Sequence, residues 1–132
     1  MKTGEGAVLD ASALLALLLG EPGSDRVEAL LPGAVISAVN LSEVAAKLIE
    51  RGAPPEAVSQ AIAAVGIEVI AFDEAQAMAA ADLRVRTRAL GLSLGDRACI
   101  ALGEMRSASV VTCDRAWTEV ESTAAIVLAR PD

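Results

Sequence analysis

A carboxylate set directly between a short apolar run and a leucine-rich helix is the feature that most restricts this chain. Ala7-Val8-Leu9 ends on Asp10, and Ala13 to Leu19 has the length and composition of a short helix. That order reads as a strand delivering an acid to the start of a helix. In open α/β sheets ligands bind in the crevice outside the carboxyl ends of the strands, so an acid at such a junction can face a site. Asp is also a favoured N-cap, and standing alone Asp10 is better explained as a cap than as a catalyst. The same arrangement recurs at Glu43, Asp96 and Asp114, and the recurrence shifts that balance.

The rest of the chain alternates between the two periods. Gly20-Glu21-Pro22-Gly23 is a turn, Ser24 caps a helix through Leu31, and Ala34 to Ser37 reads as a second buried strand. Asn40 is expected to cap the next helix with Glu43 three residues on, and Leu41, Val44, Ala45, Leu48 and Ile49 follow helical spacing up to Gly52. Glu43 falls at the edge of that apolar stripe, four residues before Lys47. Pro54-Pro55 opens a helix to Val65, and Glu68 to Ala71 is a third strand. Asp73 caps a long helix to Leu90 that Gly91 stops. Ser93 and Asp96 have capping-box spacing, and Ala98 to Leu102 is apolar all round, so this helix is expected to be buried. Ser109 to Thr112 and Ala125 to Leu128 are the last strands, with a short helix containing Trp117 between them. Strands alternating with helices imply an α/β fold with a parallel sheet covered on both faces.

At 132 residues the chain is most simply one domain, 1–132. Hydrophobic residues make up 54% but aromatics only 2%, so the core has to be aliphatic. No apolar run reaches the roughly 18 residues needed to span a bilayer, and Met1 to Gly6 lacks the regions of a signal peptide. A cytoplasmic protein is therefore expected. There is no histidine, and Cys99 and Cys113 form no C-x-x-C pattern, which argues against zinc and against every His-dependent mechanism. Both cysteines read as small buried apolar residues. The net charge of -7 is awkward for a nucleic-acid binder. It is unevenly spread: residues 81–132 hold seven acids and seven arginines, and Arg84, Arg86 and Arg88 alone read as an exposed helix face.

Asp10, Glu43, Asp96 and Asp114 each stand at or just inside a helix start, where negative charge is tolerated. Four carboxylates brought together repel one another unless a cation sits among them, and an all-oxygen donor set selects Mg²⁺ or Mn²⁺. Such a site suits phosphodiester hydrolysis, because the metal activates water and stabilises charge on the phosphoryl oxygens. Ser12 and Thr112, two residues from Asp10 and Asp114, can supply supporting hydrogen bonds.

Four blocks carry a family resemblance: Val8-Leu9-Asp10-Ala11-Ser12, Asn40-Leu41-Ser42-Glu43-Val44, Leu92 to Cys99, and Val111-Thr112-Cys113-Asp114-Arg115. In this order they resemble the signature blocks of PIN-domain ribonucleases, and most of all the VapC toxins of toxin-antitoxin modules. The resemblance implies an α/β/α sandwich around a central parallel sheet and a metal-dependent endoribonuclease. It makes Asp10, Glu43, Asp96 and Asp114 the quartet holding Mg²⁺ or Mn²⁺, with Ser12 beside the first. Where some members carry a further acid, this chain has Arg115 to Thr118, so the resemblance does not extend to a second metal site. It implies RNA as substrate, a homodimer, and a cognate antitoxin lying along the early helices and sending a basic side chain toward the acids. An aliphatic surface at Leu14, Leu15, Leu17, Leu18 and Leu19 is expected to serve those interfaces.

Other readings fit less well. A phosphoacceptor receiver domain needs a late lysine, and the lysines are Lys2 and Lys47. A haloacid-dehalogenase-type phosphatase needs an acid where Ser12 stands. A PIN-like module that binds a protein without catalysis is the stronger alternative, because capping could explain each acid, but the intact quartet argues against it.

Overall fold

The computed structural model describes residues 6–130; Met1 to Glu5, within the stretch read above for a signal peptide, and Pro131 and Asp132 lie outside the described residues. Strands β1 (Val8–Leu9), β2 (Val35–Ser37), β3 (Glu68–Ile70), β4 (Val110–Thr112) and β5 (Ile126–Leu128) form one sheet in the order β3-β2-β1-β4-β5. Every neighbouring pair is parallel. The helices are α1 (Ala11–Leu19), α2 (Ser24–Ala29), α3 (Ala38–Glu50), α4 (Pro55–Val65), α5 (Glu74–Arg86) and α6 (Leu94–Arg106), with 3₁₀ turns at Arg88–Leu90 and Arg115–Glu119. This is the α/β/α arrangement with a central parallel sheet that the sequence implied.

Strand order places the site. The chain winds outward through β1, β2 and β3, then crosses back to lay β4 on the other side of β1. The winding reverses between β1 and β4, and the crevice beyond their carboxyl ends is where an open parallel sheet leaves room for a ligand. Side chains alternate across the sheet with a period of two. Val8, Val35 and Val110 pack with Ala80, Leu83, Ile100 and the fully buried Trp117, while Leu9 and Val111 pack with Ala13 and Val27. Ile36 joins Leu14, Val44, Leu48 and Val58 under α3 and α4.

Several boundaries differ from the sequence reading. Helix α3 starts at Ala38, because β2 runs into it without a loop and Ser37 is both the last strand residue and the N-cap, accepting from Val39 N–H at 3.1 Å. Asn40 therefore lies inside the helix and caps nothing. Helix α5 ends at Arg86 and tightens into the 3₁₀ turn, whose Gly91 is in the left-handed region with φ 62°. Leu14 is wholly buried, so the expected aliphatic surface on α1 is reduced to half-buried leucines and Leu19.

Helix α6 is the central helix: Gly95 and every residue from Ala98 to Gly103 are buried. A Cβ on Gly103 would overlap the stiff Val110 side chain and stand 3.3 Å from Ala108 O, so the absence of a side chain sets the spacing between α6 and β4. Gly103→Ala is expected to destabilise the fold by about 1–3 kcal/mol, despite alanine's better helix propensity, and to lower the melting temperature by roughly 4 to 12 °C. Thermal denaturation checks this; an unchanged or raised midpoint would contradict the close packing.

Candidate functional site

Asp10 is fixed by β1, α1 and β4 together. Its amide N–H donates to Val111 O at 3.0 Å, and its side chain caps α1 by accepting from Ala13 N–H at 2.8 Å. The Ser12 hydroxyl donates to Asp10 Oδ1 at 2.8 Å, and Thr112 Oγ1 donates to Oδ2 at 2.6 Å. Those hydroxyls are themselves held, since Ser12 Oγ accepts from Cys113 N–H at 2.9 Å and Thr112 Oγ1 from Asp114 N–H at 3.0 Å. Burial pushes the Asp10 pKa from 3.8 up to about 6, against the opposing pull of its Thr112, Ala13 and Ser12 hydrogen bonds; the charge of Asp96 adds to the rise.

Glu43 comes from the second turn of α3. Asn40, 1% exposed, donates from Nδ2 to Glu43 Oε1 at 3.2 Å and to Gly95 O at 3.0 Å, tying α3 to the first turn of α6. Its Oδ1 is buried without a hydrogen-bond partner among the described residues. A Cβ on Gly95 would overlap the Glu43 carboxyl group, so glycine here leaves the space that this carboxylate occupies. Burial raises the Glu43 pKa, the Asn40 hydrogen bond opposes the rise, and the Asp96 charge adds to it.

Asp96 sits in a reciprocal capping box, accepting from Ser93 N–H at 3.1 Å while its own N–H donates to Ser93 Oγ at 3.2 Å. Asp114 follows β4, is exposed, and caps the 3₁₀ turn by accepting from Ala116 N–H at 2.9 Å. Asp10, Glu43, Asp96 and Asp114 all line one pocket of about 720 Å³ at the carboxyl ends of β1 and β4. Their charge also reaches the core: the buried Cys99 thiol is pushed well above its ordinary value by desolvation, then by Asp10, Asp96 and Glu43.

Among the described residues, no three acidic or thiol side chains are gathered tightly enough to ligate one ion in this arrangement. The donor chemistry nonetheless fits a hard cation. Mg²⁺ keeps several waters and takes one or two carboxylates plus a substrate phosphate, and here two desolvated acids face the charge of Asp96.

The sequence reading missed part of the lining. Lys47 and Glu50 share the pocket with Asn40 and Glu43, and all four lie on one face of α3, a spacing that periodicity could have revealed. Arg130, beyond β5, also lines it, and no local pattern announces that. Cys113 is half-buried on the rim rather than in the core, because β4 ends at Thr112 and exposes the next residue to the crevice. Burial and the nearby Asp10 raise its pKa, so the thiol stays protonated.

The sequence profile of the PIN domain matches residues 7–122. The chain belongs to the PIN domain family. No curated protein matches the sequence. Solved structures share the fold at low identity. One is a toxin-antitoxin complex from Klebsiella pneumoniae: 18% identity, 94% of this chain and 98% of that one covered, TM-score 0.75. DNA-bound VapBC from Salmonella typhimurium gives 18%, 95% and 98%, with TM-score 0.75. FitAcB from Neisseria gonorrhoeae gives 20%, 93% and 97%, with TM-score 0.69. The resemblance drawn from the four sequence blocks thus agrees with both comparisons.

In this PIN domain the strain of the acidic pocket has a pH signature. Asp10 holds its proton more tightly folded than unfolded, so its contribution favours folding below about pH 4 and turns unfavourable as pH rises through about 6, by up to about 3 kcal/mol. In chelator, Asp10→Asn is expected to gain melting temperature relative to the unsubstituted chain between pH 4 and pH 7. A difference that stays flat over that range would show that the carboxylate is not desolvated.

Proposed function

We propose that this PIN domain is an Mg²⁺- or Mn²⁺-dependent endoribonuclease, the toxin of a toxin-antitoxin pair acting in the cytoplasm. One observation carries the reading: acids from four separate segments line a single pocket at the switch point of the sheet. Capping alone does not account for it, since a neutral Asn or Ser caps a helix as well and needs no buried charge. At Asp10 that charge is retained although burial disfavours it.

A bound divalent cation supplies Lewis-acid stabilisation to the scissile phosphodiester. The chain's own residues provide the frame. Asp10 offers a carboxylate whose position is set by Ser12, Thr112 and the Ala13 N–H, and Asn40 orients Glu43 toward the same space. Asp96 and Asp114 each spend an oxygen on a local cap, which fixes their carboxylates at the rim. These four would hold the metal, and it would supply that chemistry to an RNA backbone crossing the strand ends. Trp117 is fully buried, so base stacking has little to use and the contacts fall on phosphates and ribose.

Cleavage of RNA is expected only with Mg²⁺ or Mn²⁺ and to stop on chelation. Asp10→Asn and Asp96→Asn should keep the fold and lose at least a hundredfold in rate, about 3 kcal/mol of transition-state stabilisation. A variant cutting at the rate of the unsubstituted enzyme would remove that residue from the site.

The proposed partner is an antitoxin, supported by the toxin-antitoxin complexes that share the fold. The pocket wall continues through Leu15, Ala16 and Ala46, with Leu19 and Ile49 exposed on α1 and α3, an apolar track for a helical segment. A guanidinium entering from that track would neutralise the carboxylates and compete with metal and RNA. A homodimer completes the proposal. Inhibition by the cognate antitoxin is expected to weaken at least tenfold when its site-facing Arg becomes Ala; equal inhibition would place the partner elsewhere.

A further inference from the structure

We propose a second anionic-ligand site on this chain: a cavity between the end of α5 and the start of α6 that holds a backbone phosphate of single-stranded RNA beside the acidic pocket. The proposal rests on the nuclease reading and adds to it how an acidic protein grips an acidic substrate. The cavity, about 320 Å³, is lined by Arg84, Arg88 and Arg97, with Ser93 and the apolar Leu92 and Leu94, and among the described residues no carboxylate lines it. Three guanidinium groups lining one space repel one another, and an anion with several acceptor oxygens relieves that repulsion.

The arginines differ in how they are held. Arg97 donates from Nη1 to Ala80 O at 3.0 Å and from Nε to Leu92 O at 3.5 Å. Neutral carbonyls therefore fix its position, and among the described residues no carboxylate pairs with it. Arg86, between Arg84 and Arg88 in sequence, takes the opposite course and pairs with Glu104 at 3.1 Å. The run that reads as one charged helix face is thus divided, with two of its three arginines at the cavity.

Position makes the cavity a subsite for the same polymer. The first turn of α6 is the wall between the two sites: Asp96 lines the acidic pocket, while Ser93, Leu94 and Arg97 line the cavity. A strand crossing this helix start would meet the arginines on one side and the carboxylates on the other, with the positive end of the helix dipole between them. Leu94, 49% exposed, offers an apolar surface to a ribose or base. The cluster compensates locally for a net charge of -7 that otherwise opposes RNA binding.

The test compares the unsubstituted chain, Arg84→Ala/Arg88→Ala and Arg84→Lys/Arg88→Lys. Arg97 is left in place because it anchors two backbone carbonyls. Binding of a labelled single-stranded RNA is measured in Ca²⁺ across a salt series, with Mn²⁺ affinity followed by electron paramagnetic resonance. The alanine pair is expected to reduce the slope of log K against log salt by about 0.7 to 1.4, the loss of one or two phosphate contacts, and to weaken binding about five- to tenfold. The lysine pair should restore most of the slope, and Mn²⁺ affinity should not change. An unchanged slope would overturn the proposal. So would weakened antitoxin binding with RNA binding intact, which would make the occupant an acidic protein segment, or protection by inorganic phosphate without any effect on RNA. Cleavage by the unsubstituted chain in Mn²⁺ is measured alongside. If it cleaves and the slope is unmoved, only the subsite fails; if it neither cleaves nor binds RNA, the nuclease reading fails with it.

Discussion

A carboxylate kept ionisable inside the sheet is the constraint on which the rest of the structure depends. Asp10 is 5% exposed and is tied to the helix start, to Ser12 and to Thr112 on the neighbouring strand. Burial of such a group is unfavourable unless hydrogen bonds and charge compensate. The bonds here offset only part of the penalty, because the pKa still stands near 6. That residual imbalance connects the fold to the proposed chemistry, since a cation in the pocket would remove it.

The same economy governs the surroundings. Side chains that cap helices also face the pocket, so one oxygen of Asp96 or Asp114 secures a local turn while the residue lines the site. Asn40 joins two helices and Glu43 in one step, and Gly95 leaves room for the Glu43 carboxylate. Charge is separated across a single helical turn, with carboxylates on one side of the α6 start and arginines on the other. On the proposed reading, a chain of net charge -7 would present a local track for phosphates and still favour a basic protein partner over its acidic pocket.

Much of this was legible in the sequence because the strands are short, apolar and punctuated by caps. Asp73 and Ser93 cap where their spacing places them, and the uniformly apolar Ala98 to Leu102 is buried as expected. The misreadings share one cause. Asn40 has the residue type and spacing of a cap, but the direct passage from β2 to α3 moves the cap to Ser37 and leaves the amide free to bridge. Arg130 and the grouping of Arg84, Arg88 and Arg97 depend on which chain ends and helix starts are neighbours in space, and a one-dimensional pattern does not carry that. Leu14 looked like surplus surface because the sequence does not say that α1 packs against α3 as well as the sheet.

The central claim is that the acidic pocket holds a hard divalent cation through Asp10. Its most direct test is Mn²⁺ titration of the intact chain at pH 5 to pH 8, followed by electron paramagnetic resonance. The account predicts saturable binding of one ion that tightens as pH rises through about 6, where the Asp10 proton must leave, and that is lost in Asp10→Asn. Absence of binding, or binding indifferent to both pH and the substitution, would contradict it.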